Sequence, residues 1–172
     1  EFKDLIERVT EKTKTVFNTT KDLYILTASG AGGMEAALVN TISPGDKVLA
    51  ITVGIFGNRF VQIAKAYGAD VTVLSTEYGE AIDPDEVKKA LDADPSIKVV
   101  IVTHNETSTG ITNDLENISK VAKGQFGKLL LVDAISSIGS IPCPVDQWDL
   151  DVVVSGSQKG WMSPPGLSML SV

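Results

Sequence analysis

Lys159 ends the stretch Ser155-Gly156-Ser157-Gln158-Lys159, which directly follows the apolar run Val152-Val153-Val154. An amine carried to the carboxyl end of a strand sits where open α/β sheets build their sites. If partly desolvated, it can attack a carbonyl and form a Schiff base, whereas a solvated loop lysine does neither. Other chemistry-bearing groups share this setting. Ala28-Ser29-Gly30-Ala31-Gly32-Gly33 follows the apolar run Leu23 to Thr27 and opens a helix. Free N–H groups and a helix dipole suit such a turn to an anion, although glycines also serve a plain tight turn. The glycines fall at 30, 32 and 33 rather than in G-x-G-x-x-G spacing, which argues against a dinucleotide. Phe56, between Gly54 and Gly57 at the end of the run Val48 to Val53, is either a ring laid flat over a planar ligand or core. The run Val99 to Thr103 ends in the polar cluster His104-Asn105-Glu106-Thr107-Ser108-Thr109-Gly110. Its histidine, the only one in the chain, is a candidate catalyst and equally a residue that orients its neighbours. Asp133 ends Leu129-Leu130-Leu131-Val132. It either caps the next turn or is a buried carboxylate kept ionised by a cationic partner.

Together these groups meet the requirements of pyridoxal phosphate: an anion cup, a ring cover, a carboxylate for the pyridine nitrogen and a Schiff-base lysine. The elements that must position them alternate along the chain. Short, β-branched apolar runs at 23–27, 48–53, 71–74, 99–103, 129–132, 152–154 and 167–172 read as strands buried on both faces. Helical spacing marks 2–18, 33–40, 58–67, 85–91 and 115–123 between them. The segment at 85–91 carries full start signals, with Asp83 as cap, Pro84 in the first position and Asp85-Glu86 in the first turn. The pattern predicts one α/β domain, a mostly parallel sheet sandwiched between helices.

A formal charge of −7 leaves no basic field for nucleic acid or anionic lipid, and no apolar run is long enough to span a bilayer. One cysteine, Cys143, excludes an intrachain disulfide or a thiolate metal cage within these residues and fits a reducing cytoplasm. The first residue is Glu1 rather than methionine, and the last residues lie inside an apolar run, so the expectation is a piece of a longer protein.

The chain resembles the class V aminotransferases, pyridoxal-phosphate enzymes of fold type I. The motifs that carry this are Ser155-Gly156-Ser157-Gln158-Lys159 with Pro164-Pro165-Gly166, Thr103 to Gly110, and Val132-Asp133-Ala134-Ile135-Ser136-Ser137. Within the family it is most similar to alanine–glyoxylate, serine–glyoxylate and serine–pyruvate aminotransferases. The resemblance implies that Lys159 forms the Schiff base and that Asp133 pairs with the pyridinium nitrogen. It implies that Ser29, Gly30 and Ala31 form the phosphate turn with Gln158 as a second phosphate contact. Phe56 and Ile135 would lie on opposite faces of the ring, and Thr107 would reach toward its phenolic oxygen. The implied reaction moves the amino group of a small amino acid, alanine or serine, to glyoxylate or pyruvate, with Lys159 taking and returning the α-proton. Residues 1–172 would then be the large cofactor-binding domain of a cytoplasmic homodimer with shared active sites. A carboxyl-terminal small domain, which holds the family's substrate-carboxylate arginine, and an amino-terminal arm would be absent, so activity of this piece alone is doubtful. Arg59 is not assigned that arginine's role.

Three other readings are weaker. A cysteine desulfurase would have histidine at the positions of Gln158 and Phe56 and a catalytic cysteine loop. A NAD-linked domain would end its second strand in an acidic residue, where this chain has Val53-Gly54. A non-catalytic subunit keeping the fold is the third, and the soluble hydrogenase subunits described among the relatives would need metal ligands that one cysteine does not supply.

Overall fold

A computed structural model describes residues 1–172. Helix α1 (Phe2–Phe17) leads into strand β1 (Leu23–Thr27), and then come α2 (Gly30–Val39), β2 (Lys47–Thr52), α3 (Ile55–Ala66) and β3 (Asp70–Ser75). The chain continues through α4 (Pro84–Ala93), β4 (Val99–Thr103), the short strands β5 (Asn105–Glu106) and β6 (Ile111–Thr112), and α5 (Leu115–Ser119), which runs on as a π-helical stretch over Lys120–Gln125. Strands β7 (Leu129–Asp133), β8 (Val152–Gly156) and β9 (Leu167–Ser171) complete it.

Seven strands form one sheet in the order β1-β9-β8-β7-β4-β2-β3. Strands β3, β2, β4, β7 and β8 pair in parallel, and only β9 runs against its neighbours, pairing antiparallel with both β8 and β1. The mostly parallel sheet predicted from the alternation is therefore present. One consequence governs the site. Strands β1, β2, β4, β7 and β8 all point the same way, so the loops that follow them emerge on one edge of the sheet.

Helices cover both faces. On one side Phe17 of α1, Val87 and Leu91 of α4, and Leu115 and Ile118 of α5 pack on Leu49, Val100, Leu130 and Val153. On the other, Met34 and Leu38 of α2 and Phe60, Val61 and Ala64 of α3 pack on Val48, Ala50, Ile101, Leu131 and Val154. Strands β2, β4, β7 and β8 have buried side chains on both faces, which is why they read as continuous apolar runs. Strand β3 departs from that expectation, because it lies at the sheet edge, where Val73 is 44% exposed. The stripe on α1 is also only partly used: Phe17 is buried while Phe2, Leu5 and Ile6 remain exposed.

Element starts show where local signals were incomplete. Helix α4 begins as its caps dictate, with the Asp83 side chain accepting from the Asp85 N–H at 2.9 Å. Helices α2 and α3 begin at Gly30 and Ile55, earlier than the expected 33 and 58. Gly30, Gly32 and Gly57, which read as turn, are first-turn helical residues; in α3 the free N–H groups are met by Glu106 and Ser108, whereas in α2 those of Gly30 and Ala31 stay unpaired.

Candidate active site

Lys159 sits in a turn after β8 that is tied down from several directions. The Ser157 hydroxyl donates to the Pro164 carbonyl at 2.7 Å and accepts from the Leu167 N–H at 3.2 Å, folding the Pro164-Pro165-Gly166 return against the lysine turn. The Trp161 indole N–H donates to the Ser155 hydroxyl at 2.8 Å, and its ring packs on Phe17 at 5.8 Å between centroids. Gly160 runs against the neighbouring turn so closely that a Cβ would meet the Ile138 carbonyl and, at 2.7 Å, the Ser140 hydroxyl. The lysine's own side chain is half-buried.

Asp133 closes β7, two strand positions along in the order of the sheet from β2. It is 4% exposed, and burial is the main reason its carboxyl is pushed up to about 6. The Glu106 charge pushes the same way, while the Ile135 N–H at 3.0 Å, the Thr103 hydroxyl at 3.3 Å and the charge of Lys159 pull it back. A carboxylate in that position gains from any cation placed against it.

The N-terminus of α2 faces the same space. Ser29 caps it by accepting from the Gly32 N–H at 3.4 Å, and the N–H groups of Gly30 and Ala31 precede any intrahelical acceptor. A Cβ on Gly30 would stand 2.5 Å from Cδ1 of Ile135, so α2 packs closely on that side chain, two residues beyond the end of β7. Phe56 occupies the first turn of α3, with the Arg59 guanidinium 5.5 Å from its ring centroid. The Thr107 hydroxyl donates to the Ser136 hydroxyl at 3.0 Å, and Ser136 in turn contacts the Asn105 carbonyl at 3.0 Å.

These groups line one cavity of about 180 Å³: Ser29, Gly30, Ala31, Phe56, Thr107, Asp133, Ile135, Gln158 and Lys159, the residues that the family resemblance assigns to the cofactor. The structure adds Met34, Arg59, Asn105 and Ser136 to the wall. Asn105 and Ser136 stand inside the motifs already noted, but nothing in the sequence aims them at the cavity. His104 lies elsewhere. It is 2% exposed, packs edge-on to Trp148 at 5.8 Å, and has an Nδ1 without a partner, and burial pushes its pKa down to about 4. A histidine outside the cavity is not in place for the catalytic alternative, and its side chain makes no hydrogen bond through which it would orient a neighbour.

The donor set suits pyridoxal phosphate. Unpaired N–H groups at a helix N-terminus can hold a phosphate, a buried carboxylate can hold a protonated ring nitrogen, and an amine can meet an aldehyde. A lysine and an aspartate meeting at the carboxyl edge of an open, mostly parallel sheet is the arrangement of the large domain of fold type I pyridoxal-phosphate enzymes. The family model "Aminotransferase class-V" matches residues 1–172, and the chain belongs to that family. It is 44% identical over its whole length to the soluble hydrogenase 42 kDa subunit of Anabaena cylindrica, covering 45% of that protein. It is 41% identical, again over its whole length, to the serine–glyoxylate aminotransferase of Methylorubrum extorquens, covering 44% of it. Among solved structures, the alanine–glyoxylate aminotransferase of Nostoc sp. superposes with a TM-score of 0.94 at 35% identity, covering 98% of this chain and 45% of that one. The chain thus spans about half the length of these relatives.

Proposed function

We propose that these 172 residues are the large cofactor-binding domain of a pyridoxal-phosphate-dependent aminotransferase that passes the amino group of a small amino acid, alanine or serine, to glyoxylate or pyruvate. The observation that carries this reading is the convergence of Lys159, Asp133 and the N-terminus of α2 on one cavity. The names of the Methylorubrum and Nostoc relatives support the choice of substrates.

When bound, pyridoxal phosphate supplies an aldehyde that condenses with an amine as a Schiff base and a ring that accepts the electron pair released at the substrate's α-carbon. The protein does the rest. The N–H groups of Gly30 and Ala31, the Ser29 hydroxyl and the Gln158 amide hold the phosphate, helped by the positive end of the α2 dipole. Phe56 and Ile135 would bracket the ring, and Thr107 would donate toward its phenolic oxygen. Asp133 keeps the ring nitrogen protonated, because a buried carboxylate and a facing cation stabilise each other. Lys159, as a free amine, would take the substrate's α-proton as general base and return it as general acid. The substrate carboxylate and the other half of the site are met by chain outside these residues and by a second subunit of a cytoplasmic homodimer.

The hydrogenase name of the Anabaena relative would ask for a thiolate set. These residues hold one cysteine, Cys143, buried and with its thiol pushed up to about 12 by that burial.

The test is to add pyridoxal phosphate to the protein at its natural length, follow the visible band of the lysine-bound cofactor, reduce with borohydride and locate the adduct by mass. The expected site is Lys159, and Lys159→Ala removes the adduct. A folded protein with no adduct there refutes the proposal. Alanine and serine assayed against glyoxylate and pyruvate then decide the substrate pair.

A further inference from the structure

Resting on that functional reading, we infer that Glu106 is a positioning residue that holds the Phe56 ring over the cavity by capping α3 from the neighbouring loop. A helix leaves its first N–H groups unpaired, and α3 has no local means of meeting them, since its N-cap is Gly54. They are met from 50 residues along the chain. One Glu106 carboxylate oxygen accepts from the Phe56 N–H at 3.0 Å and the Gly57 N–H at 2.9 Å. The other accepts from the Ser108 N–H at 3.1 Å and the Ser108 hydroxyl at 2.7 Å. That hydroxyl in turn accepts from the Ile55 N–H at 3.0 Å.

Glu106 is 0% exposed. A buried carboxylate is tolerated only when charge and lone pairs are compensated, and here the donors of two loops and the positive end of α3 provide that. The arrangement also excludes a local alternative, because a Cβ on Gly54 would stand 2.5 Å from both Glu106 Cγ and Ser108 Oγ. The backbone of Phe56 is therefore bonded to a side chain whose chain neighbours, Asn105 and Thr107, line the same cavity as the Phe56 ring. A single carboxylate sets the loop after β2 against the loop after β4. Glutamine at 106 would keep one acceptor oxygen but would turn an NH2 group toward donors, leaving either the α3 amides or the Ser108 N–H unmet.

The test compares the wild type with Glu106→Gln, each at natural length. The adduct at Lys159 is expected to persist, while loss of hydrogen bonds to a charged acceptor raises the dissociation constant for pyridoxal phosphate about tenfold. The circular-dichroism band of the bound cofactor should weaken, and in the cofactor-free protein the Phe56 and Gly57 amides should exchange faster. Asp83→Ala, which removes the cap of α4 away from the cavity, is the control and should change neither readout. A Glu106→Gln dissociation constant within about twofold of wild type, with an unchanged dichroism band, overturns the inference. If Glu106→Gln does not fold, Ser108→Ala serves instead, since it removes both the hydroxyl's bond to Glu106 and the acceptor of the Ile55 N–H; a rise of at least about threefold is expected, and no rise overturns the inference. A wild type that gives no Lys159 adduct overturns the functional reading and this inference together. A labelled wild type with an unaltered variant overturns this inference alone.

Discussion

Replacing Asp133 by asparagine is expected to stabilise the cofactor-free protein at neutral pH. The carboxyl is pushed from 3.8 up to about 6 in the folded chain, chiefly by burial, so between those values the folded state holds a proton that the unfolded state has released. Stability from this group is complete below pH 4 and is lost as the pH rises through about 6. At roughly 1.4 kcal/mol per pH unit the loss comes to about 3 kcal/mol. Asparagine is isosteric, keeps an oxygen for the Ile135 N–H and carries no charge to desolvate. The assay is urea unfolding of wild type and Asp133→Asn, both free of cofactor, at pH 4 and pH 7.5. The difference in unfolding free energy between the two proteins should move by about 2 kcal/mol in favour of asparagine across that range, since at pH 4 the unfolded aspartate is already partly ionised. His104 titrates in both proteins and cancels. A difference that stays constant from pH 4 to pH 7.5 would refute the reasoning, since the aspartate would then be ionised at no cost. The destabilising charge is the one the proposed site uses to hold a pyridinium, so the same substitution should weaken cofactor binding.

Two further outcomes follow from the packing. His104 has a pKa pushed down from 6.5 to about 4 by burial, so the stability it contributes is present above pH 6.5 and is lost as the pH falls through about 4. His104→Phe should flatten that acid limb, removing a loss of about 3 kcal/mol in urea titrations, and an acid limb identical to wild type would contradict the assignment. In Gly33→Ala the new Cβ would collide with the Ser168 hydroxyl and stand 2.6 Å from Val154 Cγ1, lifting α2 from β8 and β9. A loss of about 1–3 kcal/mol by denaturant midpoint is expected, and an unchanged midpoint would count against the close approach.

Much of this architecture was legible in the sequence where one segment carried its own signal. Strand β4 lies at Val99–Thr103 and β1 at Leu23–Thr27 as their apolar runs require, and α4 begins where Asp83, Pro84 and Asp85 place it. The start of α3 was misread because it depends on partners far along the chain. Helix α3 begins at Ile55 because Glu106 and Ser108 supply a cap that Gly54 lacks. The β5–β6 pair is two residues long on each side, too short to leave a periodicity, and the helical spacing at 115–123 does not distinguish the π-helical turn over Lys120–Gln125 from α-helix.

The candidate site divides along the same line. Lys159, Asp133, Phe56 and the Ser29–Gly33 turn were visible because each is a chemically distinctive group directly after an apolar run, and strand ends are local features. Strand order was not visible, since β-pairing is decided by which faces and edges fit in three dimensions. That order, β1-β9-β8-β7-β4-β2-β3, is what makes separate loops converge on one cavity and adds Arg59, Asn105 and Ser136 to its wall. Residue types and spacing determined which chemistry the chain can host. Tertiary structure alone decided that Asp133 is desolvated and that the Phe56 backbone is held by Glu106, because burial and hydrogen bonds between distant loops exist only after the sheet has assembled.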